Sequence, residues 1–219
     1  GLDKVVGEMV EALKSKGLDK NTIIIFASDH GLLMGEYGMG GKALLYDLTS
    51  KFPCFVYDPR LSESKRGRRV DELISSLDLT STILDYAGIS PPPEMEGKSL
   101  VPLMRGDGRN WRDALFLENL YTGRDTPFCE GIRTGRWKYI RMYDGVYNYS
   151  EEHLDFEGRS PDFEQLFDLE TDPGEANNLI KQYEGEDVLS ALRHMCQRKA
   201  SDLNKRRAEY MKTHKTTRR

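Results

Sequence analysis

The sequence predicts an α/β fold followed by a small α+β subdomain, and three observations support this prediction. Near the start, an amphipathic helical pattern, a short turn and an apolar strand follow one another, which is the order of an α/β unit. From about residue 114 onwards, short strands separated by turn residues replace that pattern. A long helical pattern with apolar residues on one face comes last. We therefore predict two domains, residues 1–104 and residues 105–219.

The α/β unit begins with a predicted helix from Asp3 to Lys16, which Gly17 can cap. The next segment, Ile23 to Phe26, is a short run of apolar residues, most of them β-branched. Such a run is typical of a strand that is buried on both faces, as in a parallel sheet. We therefore expect this strand to be covered on both faces and to pair with strands elsewhere.

The rest of the first domain contains three further apolar segments. They predict a strand at Phe55 to Tyr57, a helix from Asp78 to Tyr86 and a short apolar piece at 100–103. Asp78 is a suitable residue to cap the helix, and Gly88 is suitable to end it. Helical spacing predicts that four apolar residues of this helix face the core: Leu79, Ile83, Leu84 and Ala87.

The second domain is predicted to be an antiparallel sheet with one helix. Four strands are expected, at residues 114–120, 128–133, 137–142 and 165–169, and the second and third are joined by a hairpin-like link at 134–136. Residues 144–162 are rich in polar residues and tyrosine, which favours a surface excursion. A C-terminal amphipathic helix is indicated by Val188, Leu189, Leu192, Met195, Cys196 and Leu203.

Composition limits the classes of partner and location. The net charge is −4 and the pI is about 5.7, so the overall charge gives no reason to expect a nucleic-acid partner. No apolar run approaches the roughly 20 residues of a membrane span. The three cysteines, Cys54, Cys129 and Cys196, are widely spaced and form no CxxC pair. We expect ordinary thiols, and the redox compartment stays open.

The candidate functional residues follow the first predicted strand directly. Asp29 and His30 come where the strand leaves the sheet, which is the end where ligands bind in open α/β sheets. A loop with glycines at 35, 38, 40 and 41 comes next and can approach a ligand closely. It ends at Lys42, which we expect to return toward the same corner. A carboxylate, an imidazole and an ammonium group together indicate anion chemistry.

Each of these signals has a simpler alternative. Asp29 and His30 could form a turn without an ion, and Lys42 could be an ordinary solvent-facing lysine. The basic run from Lys65 to Arg69 could grip a sulfated polysaccharide, but the pattern favours a solvated loop. Four tyrosines could stack on sugar rings, although core and hairpin packing is the simpler interpretation: Tyr139, Tyr143, Tyr147 and Tyr149.

Several motifs in a fixed order resemble one known family. SDHG after an apolar strand, GEYGMGGK and FPCFVYDP resemble the C-terminal half of the catalytic domain of a sulfatase in the alkaline phosphatase superfamily. The segment from SSLDLTSTIL to KSLVPLMRG is similar to the part that closes that domain. GIRTGRWKYIR and EQLFDLETDPGEANNL resemble strands of the family's C-terminal subdomain. The resemblance covers nearly all of the chain up to about residue 180, and it implies a sulfatase-like catalytic sheet followed by the α+β subdomain.

The resemblance implies roles for the candidate residues. Asp29 and His30 would be metal ligands, and Lys42 would contact the sulfate group. The family implies Ca²⁺, with Mg²⁺ or Mn²⁺ as alternatives. His30 stands where many members have asparagine, and an imidazole suits Mn²⁺ or Zn²⁺ better than Ca²⁺. Tyr37 occupies a position that is often histidine, and we assign it no role.

The resemblance also indicates what the sequence lacks. The family's nucleophile is a formylglycine made from a Cys/Ser-x-Pro/Ala-x-Arg motif, and neither this motif nor the N-terminal acidic ligand pair can be found here. We therefore predict part of a sulfuric ester hydrolase that is inactive as an isolated chain. The alternatives are a phosphate or phosphonate ester hydrolase, or a non-catalytic binding module. The resemblance implies a sulfate ester substrate, with a sulfated carbohydrate as one option, and a periplasmic or secreted location. An exposed sheet edge could pair with a second copy.

Overall fold

The structure is a computed structural model, and it describes residues 1–119, 126–144 and 155–214. The chain divides into two compact units, which are described separately. The first unit comprises Gly1–Asp29 and Phe52–Trp111, and the second comprises His30–Lys51 and Arg112–Arg219. The predicted domain boundary near residue 105 stays a prediction. No helix within the described ranges has both the length and the apolar character of a membrane span.

The described residues contain five α-helices and eight strands, which are joined by loops and short 3₁₀ turns. The helices are α1 (Leu2–Ser15), α2 (Asp47–Ser50), α3 (Leu77–Tyr86), α4 (Val101–Met104) and α5 (Asp187–His214). The strands are β1 (Ile24–Ala27), β2 (Leu33–Met34), β3 (Gly40–Gly41), β4 (Cys54–Tyr57), β5 (Ala114–Asn119), β6 (Phe128–Thr134), β7 (Trp137–Tyr143) and β8 (Phe163–Asp168). The mixed α/β class and the antiparallel sheet with its C-terminal helix are thereby confirmed.

In the first unit, β1 pairs with β4 in antiparallel register, with Ile25 opposite Val56. All four residues of β1 are half-buried. The prediction of a strand buried on both faces, as in a parallel sheet, is therefore wrong for this chain. Such burial needs a covering layer on each face and a neighbour on each edge, whereas the described residues supply β4 as the strand paired with β1.

Helix α3 occupies the predicted span, but its buried face is polar. Asp78, Ser81 and Thr82 are its buried residues, whereas Ile83 is 54% exposed. The predicted core face is therefore wrong at Ile83 and at the exposed Ala87. The reason is that the polar side chains hold the neighbouring segment 97–100. Asp78 Oδ1 accepts a hydrogen bond from Lys98 N at 2.7 Å, and Thr82 Oγ1 accepts one from Leu100 N at 2.9 Å.

In the second unit, β5 to β8 form an antiparallel meander in the order β5-β6-β7-β8. Each central pair has an unbroken register, with Ile132 opposite Tyr139 and Tyr139 opposite Leu166. Residues therefore alternate strictly between the two faces of this sheet.

Each face of the sheet is covered by a different segment of the second unit. One face packs against α5, and its cluster includes Ile132, Tyr139, Leu166, Leu189, Leu192 and Cys196. The other face packs against residues of the segment 30–51, and its cluster includes Leu33, Leu45, Tyr46, Cys129, Ile140 and Phe167. This second layer positions the candidate site, because it contains His30 and Lys42.

The remaining predictions have mixed outcomes. The three cysteines are free thiols, as expected. The C-terminal helix is longer than its apolar pattern indicated and continues to His214. Most of the predicted surface excursion, with Tyr147 and Tyr149, lies outside the described residues, and so does Leu120 at the end of the first predicted strand of that sheet. The edge-to-edge pairing with a second copy stays a prediction.

Candidate functional site

A tight hairpin positions Lys42. Strands β2 and β3 pair so that Leu33 lies opposite Gly41 and Met34 opposite Gly40, and Lys42 follows β3 directly. The connecting turn needs left-handed backbone conformations, with φ of 125° at Gly35 and 70° at Gly38. Glycine adopts these conformations without steric cost. The predicted glycine loop is therefore a hairpin, and it brings Lys42 back next to His30.

The structure brings His30 and Lys42 together. Lys42 Nζ lies 2.8 Å from His30 Nε2, and His30 Nδ1 lies 2.7 Å from the carbonyl oxygen of Gly31. A carbonyl can only accept, so Nδ1 carries the proton and Nε2 presents its lone pair to the ammonium. This arrangement fixes the tautomer of the imidazole. It also leaves Nε2 as the nitrogen that could bind a metal, since ligand histidines commonly donate their other N–H to a carbonyl.

Gly31 holds the backbone of His30 against the segment before β4. Its N–H donates to the carbonyl oxygen of Thr49 at 2.8 Å. A Cβ atom at position 31 would lie 2.0 Å from the carbonyl oxygen of Leu48, which is closer than any side chain allows. Glycine is therefore required here by close backbone contact rather than by its backbone angles.

Asp29 directly precedes His30 in the chain and ends the first segment of the first unit, two residues after β1. The carboxylate is a hard oxygen ligand and the imidazole a borderline nitrogen ligand, and both occur in divalent metal sites. Within the described ranges there is no group of three or more His, Cys, Asp or Glu residues placed to hold an ion. The metal roles of Asp29 and His30 therefore stay predictions.

A buried ionic network lies beneath the segment that carries His30 and Lys42. The Lys138 side chain is fully buried, and its Nζ lies 2.5 Å from Asp47 Oδ1 and 2.9 Å from Glu175 Oε1. The backbone N–H of Asp47 donates to Glu175 Oε2. Burial works to raise the pKa of Asp47, but Lys138 and Arg133 outweigh it and hold that pKa below its ordinary value. The network fixes α2 to the sheet and to the turn at 172–175.

This network was not predicted from the sequence, although one signal was present. Lys138 lies two residues before Ile140 in β7, so the alternation of the strand places it on the same core-facing side. A lysine at such a position requires buried carboxylate partners. The strand pattern could therefore have identified Lys138, but not Asp47 or Glu175, which are distant in sequence.

Tyr37 connects the hairpin to the turn at 172–175. Its hydroxyl donates to the carbonyl oxygen of Gly174, and its ring centroid lies 5.1 Å from that of Tyr46. The residue itself adopts a left-handed conformation with φ of 56°. Burial, with a smaller effect of Glu175, raises the pKa of its hydroxyl, so the group remains a hydrogen-bond donor at neutral pH. Tyr37, to which sequence analysis gave no role, helps to hold the hairpin that ends at Lys42.

Comparisons with known proteins agree with the arrangement of motifs. Residues 35–202 match the family described as N-sulphoglucosamine sulphohydrolase, C-terminal. An arylsulfatase of Clostridium perfringens (strain 13 / Type A) is 33% identical over 193 residues, which are 88% of this chain and 36% of that protein. The chain therefore spans little more than a third of this relative.

Solved structures give the same result at the level of the fold. A 2-O GAG sulfatase matches with a TM-score of 0.74 and 26% identity, over 97% of this chain and 42% of the other. A phosphonate monoester hydrolase of Agrobacterium radiobacter matches with a TM-score of 0.70 and 27% identity, over 94% of this chain and 39% of the other. Because the family match covers more than half of the chain, the chain belongs to the N-sulphoglucosamine sulphohydrolase C-terminal family and corresponds to the C-terminal portion of a sulfatase.

Proposed function

We propose that this chain is part of a sulfuric ester hydrolase, in which Lys42 binds the sulfate group and Asp29 and His30 contribute ligands to a divalent metal. The observation that supports this most is the 2.8 Å contact between Lys42 Nζ and the oriented imidazole of His30. This contact brings a cation to the imidazole that follows Asp29 in the chain.

Lys42 would act by charge. Its ammonium group can donate to the non-bridging oxygens of a sulfate ester and stabilise the negative charge that grows there as the ester bond breaks. In the structure the same ammonium donates to His30 Nε2. With Nε2 as a metal ligand, the Lys42 ammonium would lack this acceptor and would be available to a sulfate oxygen.

The metal would supply further charge stabilisation at the sulfate oxygens. Asp29 offers an oxygen suited to Ca²⁺ or Mg²⁺, whereas the nitrogen of His30 suits Mn²⁺ better. We propose Ca²⁺ from the family resemblance, with Mg²⁺ and Mn²⁺ as alternatives. His30 would be held for this role by the hydrogen bond from its Nδ1 to Gly31 and by the contact of Gly31 with Thr49.

The sequence contains no Cys/Ser-x-Pro/Ala-x-Arg motif. The nucleophile and the remaining ligands would therefore come from other parts of the whole protein, and the 219-residue chain alone should not turn over a sulfate ester. One structural neighbour is described as a 2-O GAG sulfatase. We accordingly propose a sulfated carbohydrate as the substrate class of the whole protein.

A second chemistry has a specific observation in its favour. The phosphonate monoester hydrolase of Agrobacterium radiobacter shares the fold over 94% of this chain. Phosphonate and phosphate esters also present tetrahedral oxyanions, which an ammonium and a divalent metal bind in the same way. Hydrolysis of a phosphonate or phosphate monoester is therefore the alternative function.

The test compares an aryl sulfate with the matching aryl phosphate and phenylphosphonate ester, using the whole protein. We expect the aryl sulfate to have the highest kcat/KM, and we expect Asp29→Ala to abolish its turnover by removing a metal ligand. Asp19→Ala is the control, because this carboxylate lies in the turn before β1. A preference for the phosphonate ester would favour the alternative, and normal turnover by Asp29→Ala would refute the role of Asp29.

A further inference from the structure

A cleft in the first unit is lined by the basic run that the proposed function does not use. Its volume is about 600 Å³. One wall is the segment from Lys65 to Val70, and another is β4. A third is formed by Leu100, which precedes α4, and by Leu103 and Met104 in α4. We define residues 60–70 as the basic loop, which contains five cationic residues and a single carboxylate, Glu63.

The basic loop has a defined shape. Arg66 Nε donates to the carbonyl oxygen of Leu61 at 2.9 Å, and Arg66 Nη2 donates to that of Pro59 at 2.5 Å. A 3₁₀ turn at Glu63–Lys65 and a left-handed glycine, Gly67 with φ of 62°, complete the path of the backbone. The guanidinium of Arg66 thus closes the loop, and Lys65, Arg68 and Arg69 also line the cleft.

Lys65 and Arg68 converge on one point. A Cβ atom built at Gly106 would lie 2.9 Å from both Lys65 Nζ and Arg68 Nη1, so these nitrogens are at most twice that distance apart. Among the described residues, neither side chain has a hydrogen bond or a carboxylate within ion-pair distance. Two like charges this close repel each other, and an anion placed between them would remove that cost.

Two carboxylates lie in the neighbourhood of this pair, and Glu72, whose Oε1 would be 2.7 Å from a Cβ atom at Gly108, is one of them. The carboxylate of Asp58, which also lines the cleft, is held by Arg60 through two hydrogen bonds of 2.9 Å. The carbonyl oxygens at the end of α4 carry only partial negative charge, and two of them also accept backbone hydrogen bonds. Leu103 O accepts one from Gly106 N at 2.9 Å, and Pro102 O accepts one from Asp107 N at 2.8 Å.

The cleft also has an exposed aromatic wall. Phe55 and Tyr57 occupy the same face of β4 and are 45% and 37% exposed. The Phe55 ring is held in place because it stacks on Phe26 at 5.0 Å. Aromatic surface beside cations suits a ligand that carries both apolar ring faces and anionic groups. Sugar rings that bear sulfate groups meet this description, whereas a peptide of acidic residues alone offers only the charges.

We propose that the basic loop and β4 form a binding cleft for a sulfated carbohydrate, with Lys65 and Arg68 holding one sulfate group between them. The inference goes beyond the proposed function, because it concerns binding by the first unit and requires no turnover. Arg69 is less suited to the role, since its Nε is paired with Asp71 at 2.7 Å.

The test is a calorimetric titration of the full 219-residue chain with sucrose octasulfate. We expect one site, which weakens as the ionic strength rises, and we expect Lys65→Gln/Arg68→Gln to lower the affinity by roughly tenfold or more. Lys16→Gln/Lys20→Gln is the matched control, because it removes the same charge from exposed positions outside the cleft. The control should bind like the wild type.

Two further titrations test the chemical class of the ligand. Phe55→Ser should weaken the binding of sucrose octasulfate but not that of inorganic sulfate, since only the sugar uses the aromatic wall. Short polyglutamate should bind weakly. The proposal would be overturned if both double variants lost affinity equally or if neither lost any. It would also be overturned if polyglutamate bound as tightly as sucrose octasulfate. All outcomes are independent of sulfatase activity, so failure here leaves the proposed function unaffected.

Discussion

Lys138 connects the layer that carries His30 and Lys42 to the sheet of the second unit. Its side chain is fully buried between Asp47 and Glu175. Removing one partner of a buried ion pair leaves an uncompensated charge, and here it leaves two carboxylates. We expect Lys138→Ala to lower the free energy of unfolding of the chain by about 3–5 kcal/mol, as measured by urea denaturation.

Lys51 provides a matched control for that experiment. It also pairs with Asp47, at 3.4 Å, but its side chain is 73% exposed. Exposed ion pairs contribute little to stability, so we expect Lys51→Ala to change the free energy of unfolding by less than about 1 kcal/mol. Similar losses in the two variants would mean that burial of Lys138 does not carry the effect.

Asp168 gives the second unit a dependence on pH. Arg136 holds its carboxylate by two hydrogen bonds, of 3.0 and 2.7 Å, and this keeps the pKa of Asp168 below its ordinary value of about 4. Because the folded pKa is lowered, the stabilisation is present above the ordinary value and is lost as the pH falls toward the folded pKa. We expect Asp168→Asn to destabilise the chain at pH 7 and to differ less from the wild type at pH 3 in urea denaturation.

Asp107 serves as the comparison for Asp168. Arg109 holds it in the same two-bond geometry, and this lowers the pKa of its carboxyl to about 2. The Asp107 side chain is 44% exposed, however, whereas that of Asp168 is 5% exposed. Solvent screens the exposed pair, so Asp107→Asn should leave the stability nearly unchanged at both pH values. A loss at pH 7 that persists in full at pH 3 for Asp168→Asn would contradict the assignment.

At the scale of elements, the site rests on the contact between residue 31 and the segment at 48–49. A Cβ atom on Gly31 would meet the carbonyl oxygen of Leu48 at 2.0 Å, so the backbone at His30 would have to move. We expect Gly31→Ala to lower the free energy of unfolding by about 1–3 kcal/mol and to shift the NMR signals of the His30 ring. Thermal unfolding and a proton–nitrogen spectrum of the chain measure the two effects.

Gly40 is the control within the same hairpin. A Cβ atom there would have Leu33 O as its nearest neighbour, at 3.9 Å, and the residue does not have a positive φ. Gly40→Ala should therefore change the stability by less than about 0.5 kcal/mol. If both variants behave alike, the close contact at position 31 is not what holds His30.

The elements also show how far the sequence could predict the fold. The strands of the second unit and α5 followed from apolar spacing, because the cores on both faces of this sheet are formed by residues of the chain itself. The buried face of α3 could not be predicted from apolar spacing. Its buried residues are Asp78, Ser81 and Thr82, and they form hydrogen bonds with the segment 97–100, which lies further along the chain. The surroundings of β1 also could not be read from its four residues, because burial depends on the layers around a strand.

In the candidate site, too, local signals could be found in the sequence and contacts between distant segments could not. Asp29, His30 and Lys42 were identified because they lie next to a strand end and a glycine-rich loop, which are local signals. The contact between Lys42 and His30 is seen in the structure, while the metal and sulfate roles stay predictions. Lys138, Asp47 and Glu175 meet from three distant segments, so their partnership required the fold.

At the scale of the whole molecule, the chain is the C-terminal portion of a sulfatase, and we propose that it contributes one side of the active site. The C-terminal family match covers residues 35–202, whereas the nucleophile motif of the resemblance is absent from the sequence. The central claim is that the hairpin from Leu33 to Gly41 presents the Lys42 ammonium to a sulfate ester next to His30. We propose this claim for the whole protein, because this chain spans little more than a third of the arylsulfatase that it matches.

The most direct test is kcat for an aryl sulfate in the whole protein with Lys42→Ala, beside Lys51→Ala as a control that removes another exposed lysine of the same segment. We predict that Lys42→Ala lowers kcat by roughly 100-fold or more, because charge stabilisation of the breaking ester bond is lost, while Lys51→Ala keeps the rate within about twofold. A normal kcat for Lys42→Ala in a folded protein would contradict the account.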